Sequence, residues 1–146
     1  MAFPAAQLQR REHFMTDAQA NRVKTLSGTD LQSLWWVVYE ARNHGRLEGV
    51  AFIDTHRVRT LNETSMVAVK ADGTLKRVEV VAFQEPQEYM PREAWMRQLD
   101  GKTLDPNLNL NRSIKPLSGA TLTARALVDA AKRGLALFQV LYGGER

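Results

Sequence analysis

At 146 residues the chain is about one domain's worth, long enough to bury roughly two-thirds of the surface its unfolded form exposes. It is 44% hydrophobic and 25% charged, as globular proteins are, and it has no cysteine, which excludes disulfides, thiolate metal sites and cysteine nucleophiles. The net charge is +4 with a pI near 9.7, but Arg10, Arg22, Arg42, Arg57, Lys76 and Lys132 are scattered among acids instead of forming the patch a nucleic-acid binder needs.

The opening "MAFPAAQLQRREHF" has no apolar core of signal-peptide length, and nowhere does the chain approach the roughly 18 consecutive apolar residues of a membrane span. "MTDAQANRVKTLSG" reads as a helix, with Thr16 or Asp17 able to cap its first N–H groups and Gly28 placed to end it. "LWWVVYEAR" (34–42) is aromatic and β-branched, the composition of a strand. His44 and Gly45 turn the chain into a second strand, "EGVAFIDTHRV". "SMVAVKADGTLKRVEVVAF" is a hairpin in which Asp72-Gly73 supplies the positive φ of the turn.

Beyond it, Pro86 and Pro91 mark a loop, a short helix runs from about Arg92 to Leu99, and Gly101 stops it. "TLDPNLNLNRSIKPL" is extended and irregular. From Thr123 onward Leu127, Ala130, Ala131, Leu135, Phe138 and Leu141 recur at helical spacing until Gly143-Gly144. The expectation is one α+β structural domain: an antiparallel sheet of about four strands covered by helices, with an N-terminal helix and first strand over residues 1–44 and a core over 45–146.

His13, His44 and His56 fall in different segments without a paired nucleophile, which argues against a catalytic triad. Asp54 and His56 share a strand face, a spacing that any solvated strand also shows. The seam at 118–123 is the stronger candidate. A helix N-terminus presents unpaired N–H groups and a partial positive charge, which suits a phosphate. Gly119 allows close backbone approach, Ala120 keeps the site narrow, and Thr121 and Thr123 add hydroxyls, with Lys115, Arg125 and Arg112 nearby. The same Ser and Thr residues would also serve as ordinary helix caps.

"SGATLT" at 118–123, in an order that runs through the Asp72-Gly73 hairpin, "VVAFQEP" with Glu85, then Trp95 and Gly101-Lys102, resembles the FMN-binding domain of the C and G subunits of sodium-pumping NADH:quinone reductase-type complexes and of small extracytoplasmic flavoproteins. The resemblance covers roughly residues 45 to 142. It implies an electron-transfer flavoprotein domain, a redox carrier with no substrate-converting residue of its own, in which a flavin transferase joins FMN from FAD by a phosphoester to Thr121. Ser118, Gly119, Ala120, Leu122 and Thr123 would cradle the phosphate and Lys115 or Arg125 would balance its charge. Tyr89, Met90 and Trp95, flanking the loop that carries Glu85, would wall the isoalloxazine, Trp95 having a core role as its alternative.

The resemblance also implies an extracytoplasmic (periplasmic) location, with a signal peptide already removed, and a redox partner protein or membrane electron-transport complex. One residue departs from the pattern: the position three before the motif's Ser is usually acidic and here is Lys115. That leaves two alternatives, a flavoprotein whose transferase tolerates lysine, or a cofactor-free interaction domain that has kept the fold and lost flavinylation.

Overall fold

The structure, a computed structural model, describes residues 2–58, 61–84, 86–117 and 119–145. Five strands, β1 (Gln7–Phe14), β2 (Trp35–Asn43), β3 (Arg46–Val58), β4 (Leu61–Lys70) and β5 (Leu75–Phe83), form one antiparallel meander in sequence order. The helices are α1 (Asp17–Ser27), α2 (Glu93–Met96), which continues as a 3-10 turn over Arg97–Leu99, and α3 (Thr121–Tyr142). None of them is long and apolar enough to cross a membrane, among the described residues.

Local rules account for most boundaries. Thr16 and Gln19 form a reciprocal capping box at the start of α1, and Gly28 ends it in the left-handed region with φ +68°. His44 and Gly45 turn β2 into β3 with φ of 52° and 77°. Gly73 sits at φ +89°, and the Asp72 carboxylate accepts from the Thr74 amide and hydroxyl to close the next hairpin.

α3 lies across one face of the sheet and α1 packs against it. Residues 134–138 are buried all round, because the sheet covers one side of the helix while α1 and the 104–117 segment supply partners elsewhere in the core. Val67, Phe52, Leu127, Leu135 and Phe138 belong to this core. On the opposite face a small cluster of Ala2 and Phe3 covers Ala41, Ala51 and Ala68.

β1 is the strand that the composition did not announce. Six of its eight residues in a row are exposed, so it carries no apolar alternation. It is held by eight ladder positions on β2 and by a hydrogen bond across the chain. The Tyr142 hydroxyl donates to buried Glu40 at 2.6 Å, so the 2.8 Å contact with His13 has Nε2–H of the imidazole donating to the Tyr142 oxygen. Charges along such a strand also discourage pairing with other chains at the sheet edge.

Gly134 is where α3 touches the sheet most closely: a Cβ there would run into the side chain of Val67, which is β-branched and stiff. Gly134→Ala is expected to destabilise the fold by about 1–3 kcal/mol through overpacking, in spite of alanine's better helix propensity. Urea unfolding with an unchanged m-value would check this.

Candidate functional site

The residues of the seam come together at the start of α3. Thr121 is the first helical residue and exposed, and Leu122 beside it is 48% exposed. Gly119 adopts φ +79°, a conformation glycine takes readily, and the space around it is open. Ala120 is the N-cap residue, buried, with no side-chain cap hydrogen bond. Thr123 is turned into the protein. Arg125 is exposed one turn beyond Thr121, on the same helix face. Ser118 and Glu85 lie outside the described residues.

Ordinary capping is therefore not what Thr121 and Thr123 do: they are inside the helix, and the cap position belongs to an alanine. Alanine at an N-cap costs about 1 kcal/mol relative to Ser, Thr, Asp or Asn. The cap residue of α3 thus offers no side-chain acceptor to the first N–H groups of the helix, whereas α1 closes its own with a capping box.

Lys115 is exposed, but its backbone is fixed at both polar groups. Its N–H donates to Gln98 at 2.8 Å and its carbonyl accepts from Trp95 Nε1 at 2.8 Å. Trp95 is packed in the main core, not open as a wall, because burial of its ring and the bond to Lys115 engage it fully. It positions the lead-in to the seam. Tyr89 ends a 3-10 turn (Gln87–Tyr89) and is half-buried, as is Met90.

A second polar site differs from the sequence expectation. Asp54 and His56 are not on a solvated strand end: both are buried, together with Glu63, Ser65 and Arg133. The β3–β4 register sets His56 opposite Glu63 and Asp54 opposite Ser65 on one sheet face. His56 Nδ1 lies 3.1 Å from Asp54 Oδ1 and Nε2 lies 2.9 Å from Glu63 Oε1. Both ring nitrogens face carboxylates, so both carry hydrogen and the ring is an imidazolium. Arg133 donates from Nε to Asp54 Oδ2 at 2.8 Å and from Nη2 to Oδ1 at 3.3 Å.

The electrostatics follow. Burial alone would lower the His56 pKa, but the hydrogen bonds and charges of Asp54 and Glu63 raise it to about 9. For Asp54 burial alone would raise it, and His56 and Arg133 outweigh that and hold the carboxyl below its usual range. Beyond Val38 and Phe52 strands β2 and β3 part, β2 staying with β1 and β3 with β4. The notch is a cavity of about 390 Å³ lined by Trp35, Trp36, Ile53, Asp54, His56 and Arg133. Of the two tryptophans, Trp35 is half-exposed and Trp36 buried. Sequence reasoning missed Glu63 and Arg133. The signal that could have found Glu63 is the register of β3 on β4, in which Val58 pairs with Leu61 and His56 with Glu63.

Among the described residues no group of three His, Cys, Asp or Glu side chains is placed to hold a metal. The FMN-binding domain family matches residues 62–136, just over half of the 146-residue chain. The crystal structure of Shewanella oneidensis NqrC has the same fold, with TM-score 0.62 and 17% identity over 97% of this chain and 85% of that one. No curated protein matches the sequence.

The pKa of His56 makes a pH prediction. Because it is raised in the folded state, its stabilisation is fully present below the unfolded value of 6.5, is lost progressively above that, and is gone once pH passes about 9. The melting temperature should fall across that window. In His56→Gln it should start lower and lose that part of its slope, as differential scanning calorimetry from pH 6 to 10 would show.

Proposed function

The chain belongs to the FMN-binding domain family, with FMN as its cofactor, and from that premise we propose that it is a one-domain electron carrier holding FMN by a phosphoester to Thr121. The observation that carries this reading is the start of α3, where an exposed threonine follows an alanine cap whose side chain offers the first helical N–H groups no hydrogen bond. That donor set fits a phosphate, which the helix dipole stabilises as well.

Each residue has a part in that site. Gly119, in the left-handed region, lets the backbone bend around the phosphate without a side chain in the way. The Thr121 oxygen is the attachment point. Arg125, one turn on, and Lys115, before the motif, supply charge that balances the phosphate. Glu85, Ser118 and Tyr89 complete the proposed ligand set from the loop and the motif. When bound, FMN supplies the redox chemistry, and the protein sets its position, solvent access and potential.

The wider setting is part of the same reading: a location outside the cytoplasm, a flavin transferase that forms the ester, and a redox partner or membrane electron-transport complex. Lys115 favours one other reading, a cofactor-free interaction domain, because it reverses the charge at the position where the transferase's substrates carry an acid.

Protein exported alongside a flavin transferase and weighed intact should show the added mass of one FMN less water, retained after denaturation. Thr121→Ala should abolish the addition and leave the fold intact, since Thr121 is exposed. Covalent flavin surviving in Thr121→Ala would overturn the attachment point. A colourless, unmodified wild type, with no stabilisation by added FMN, would favour the cofactor-free domain.

A further inference from the structure

Beyond Val38 and Phe52 no ladder joins β2 to β3, while β2 continues on β1 and β3 continues on β4 as far as Val58. The cavity this gap leaves, about 390 Å³, falls at the low end of the range for small-molecule sites, roughly 300–1,000 Å³. Its walls are apolar, formed by Trp35, Trp36, Val37 and Ile53. Both indoles are held in place. The Trp36 N–H donates to the Ser33 carbonyl at 3.0 Å, and the Trp35 ring is backed by Phe14, with centroids 6.3 Å apart and 30° between the planes. Rings fixed in this way lose little freedom when a flat ligand lies against them.

The polar side of the cavity is Asp54, His56 and Arg133, all buried. Most of their hydrogen-bonding capacity is engaged internally. Asp54 Oδ1 meets His56 Nδ1 and Arg133 Nη2, Oδ2 meets Arg133 Nε, and His56 Nε2 is on Glu63. What remains is Arg133 Nη1. The residue is only 8% exposed, yet among the described residues its guanidinium is hydrogen-bonded through Nε and Nη2 alone. A buried guanidinium with one nitrogen unengaged calls for an acceptor. The charge of the lining has the matching sign: His56 and Arg133 are cationic and Asp54 anionic, and Glu63, which has no exposure, is outside the lining. Arg133 also lines a neighbouring cleft of about 300 Å³, but no tryptophan or large aliphatic residue lines that one.

We propose that the notch between β2 and β3 is a binding site for a small aromatic monocarboxylate. The carboxylate accepts from Arg133 Nη1, a charge-assisted bond for which a guanidinium is well suited at a buried position. The ring lies among the tryptophans and Ile53, and its burial there removes apolar surface from water. The site shares no residue with the start of α3. Arg133 is twelve residues beyond Thr121, about 18 Å along the helix, so the inference does not rest on the electron-carrier reading.

The test is a titration of the full chain with benzoate, followed by NMR of the indole N–H signals. Of the three tryptophans, Trp35 and Trp36 line the cavity, while Trp95 has its N–H on the Lys115 carbonyl and serves as the internal control. Benzoate should shift the Trp35 and Trp36 signals to saturation and leave that of Trp95 in place. Benzyl alcohol, the same ring without the charge, should bind about tenfold more weakly or worse, the loss expected for a hydrogen bond to a charged group. Arg133→Gln should lose the preference for benzoate. Where that variant does not fold, Val37→Phe, which fills the cavity and leaves the charges alone, should abolish binding in a folded chain. No saturable shift, equal affinity for benzyl alcohol, a Trp95 response as large as that of Trp35, or undiminished binding to folded Val37→Phe would each overturn the proposal. FMN-loaded protein should bind benzoate with the same affinity, and binding lost on loading would assign the cavity to the cofactor and overturn a separate site. Protein that takes up no FMN but binds benzoate fails the carrier reading alone.

Discussion

Arg133 on α3 and Asp54 on β3 form the contact on which the placement of the whole helix depends. Their guanidinium–carboxylate pair is two-pronged and buried, so it fixes orientation as well as distance. Next to it Gly134 lets α3 sit directly on Val67. A helix pinned at residues 133 and 134 has its beginning pinned too: Thr121 lies twelve residues earlier, about 18 Å along the same axis. The seam that would hold a phosphate is thus located by a contact far from it. Removal of one member of the pair would leave a charge buried without its partner, a loss of order 3–5 kcal/mol.

The far end of α3 is tied down by a different device. Tyr142 reaches Glu40 on β2 and His13 on β1, residues 102 and 129 positions away in sequence. One hydroxyl thereby connects the last turn of the last helix with the first strand. It adds to the β2 ladder that holds the charged, exposed segment Gln7–Phe14 as a strand. Apolar burial contributes little there, and hydrogen bonds and the β2 ladder supply what it lacks.

What could be read from the sequence divides along the same line. α1, β2, β3, the β4–β5 hairpin and α3 were legible because each has either a cap, a turn pair or an apolar period. β1 was not, for want of any of the three, and so the sheet has a strand more than the four or so expected. The seam was legible as a helix start with small and hydroxylated residues, although its cap turned out to be Ala120 and not a threonine. Trp95 was legible as an aromatic of the right region, but only tertiary packing could assign it to the core. The buried quartet was hidden for a physical reason: Asp54, His56, Glu63 and Arg133 are residue types that normally mark solvent, and only the β3–β4 register and the placement of α3 turn them inward.

Lys115 shows how local geometry separates two questions that the sequence joins. Its main chain is held by Gln98 and by Trp95, both on the α2 segment, and these bonds are indifferent to the side chain at 115. The reversal of charge therefore does not disturb the lead-in to α3 or the conformation of Gly119 and Ala120. It changes what an approaching protein meets, because the ammonium group is exposed. For a bound phosphate the same cation is favourable, since unlike charges attract at close range even near the surface. Loss of flavin binding through Lys115 would thus have to come from recognition by the modifying protein and not from the site itself. An acid at 115 would leave the fold and the geometry at Thr121 as they are, because the bonds that hold this backbone do not involve the side chain.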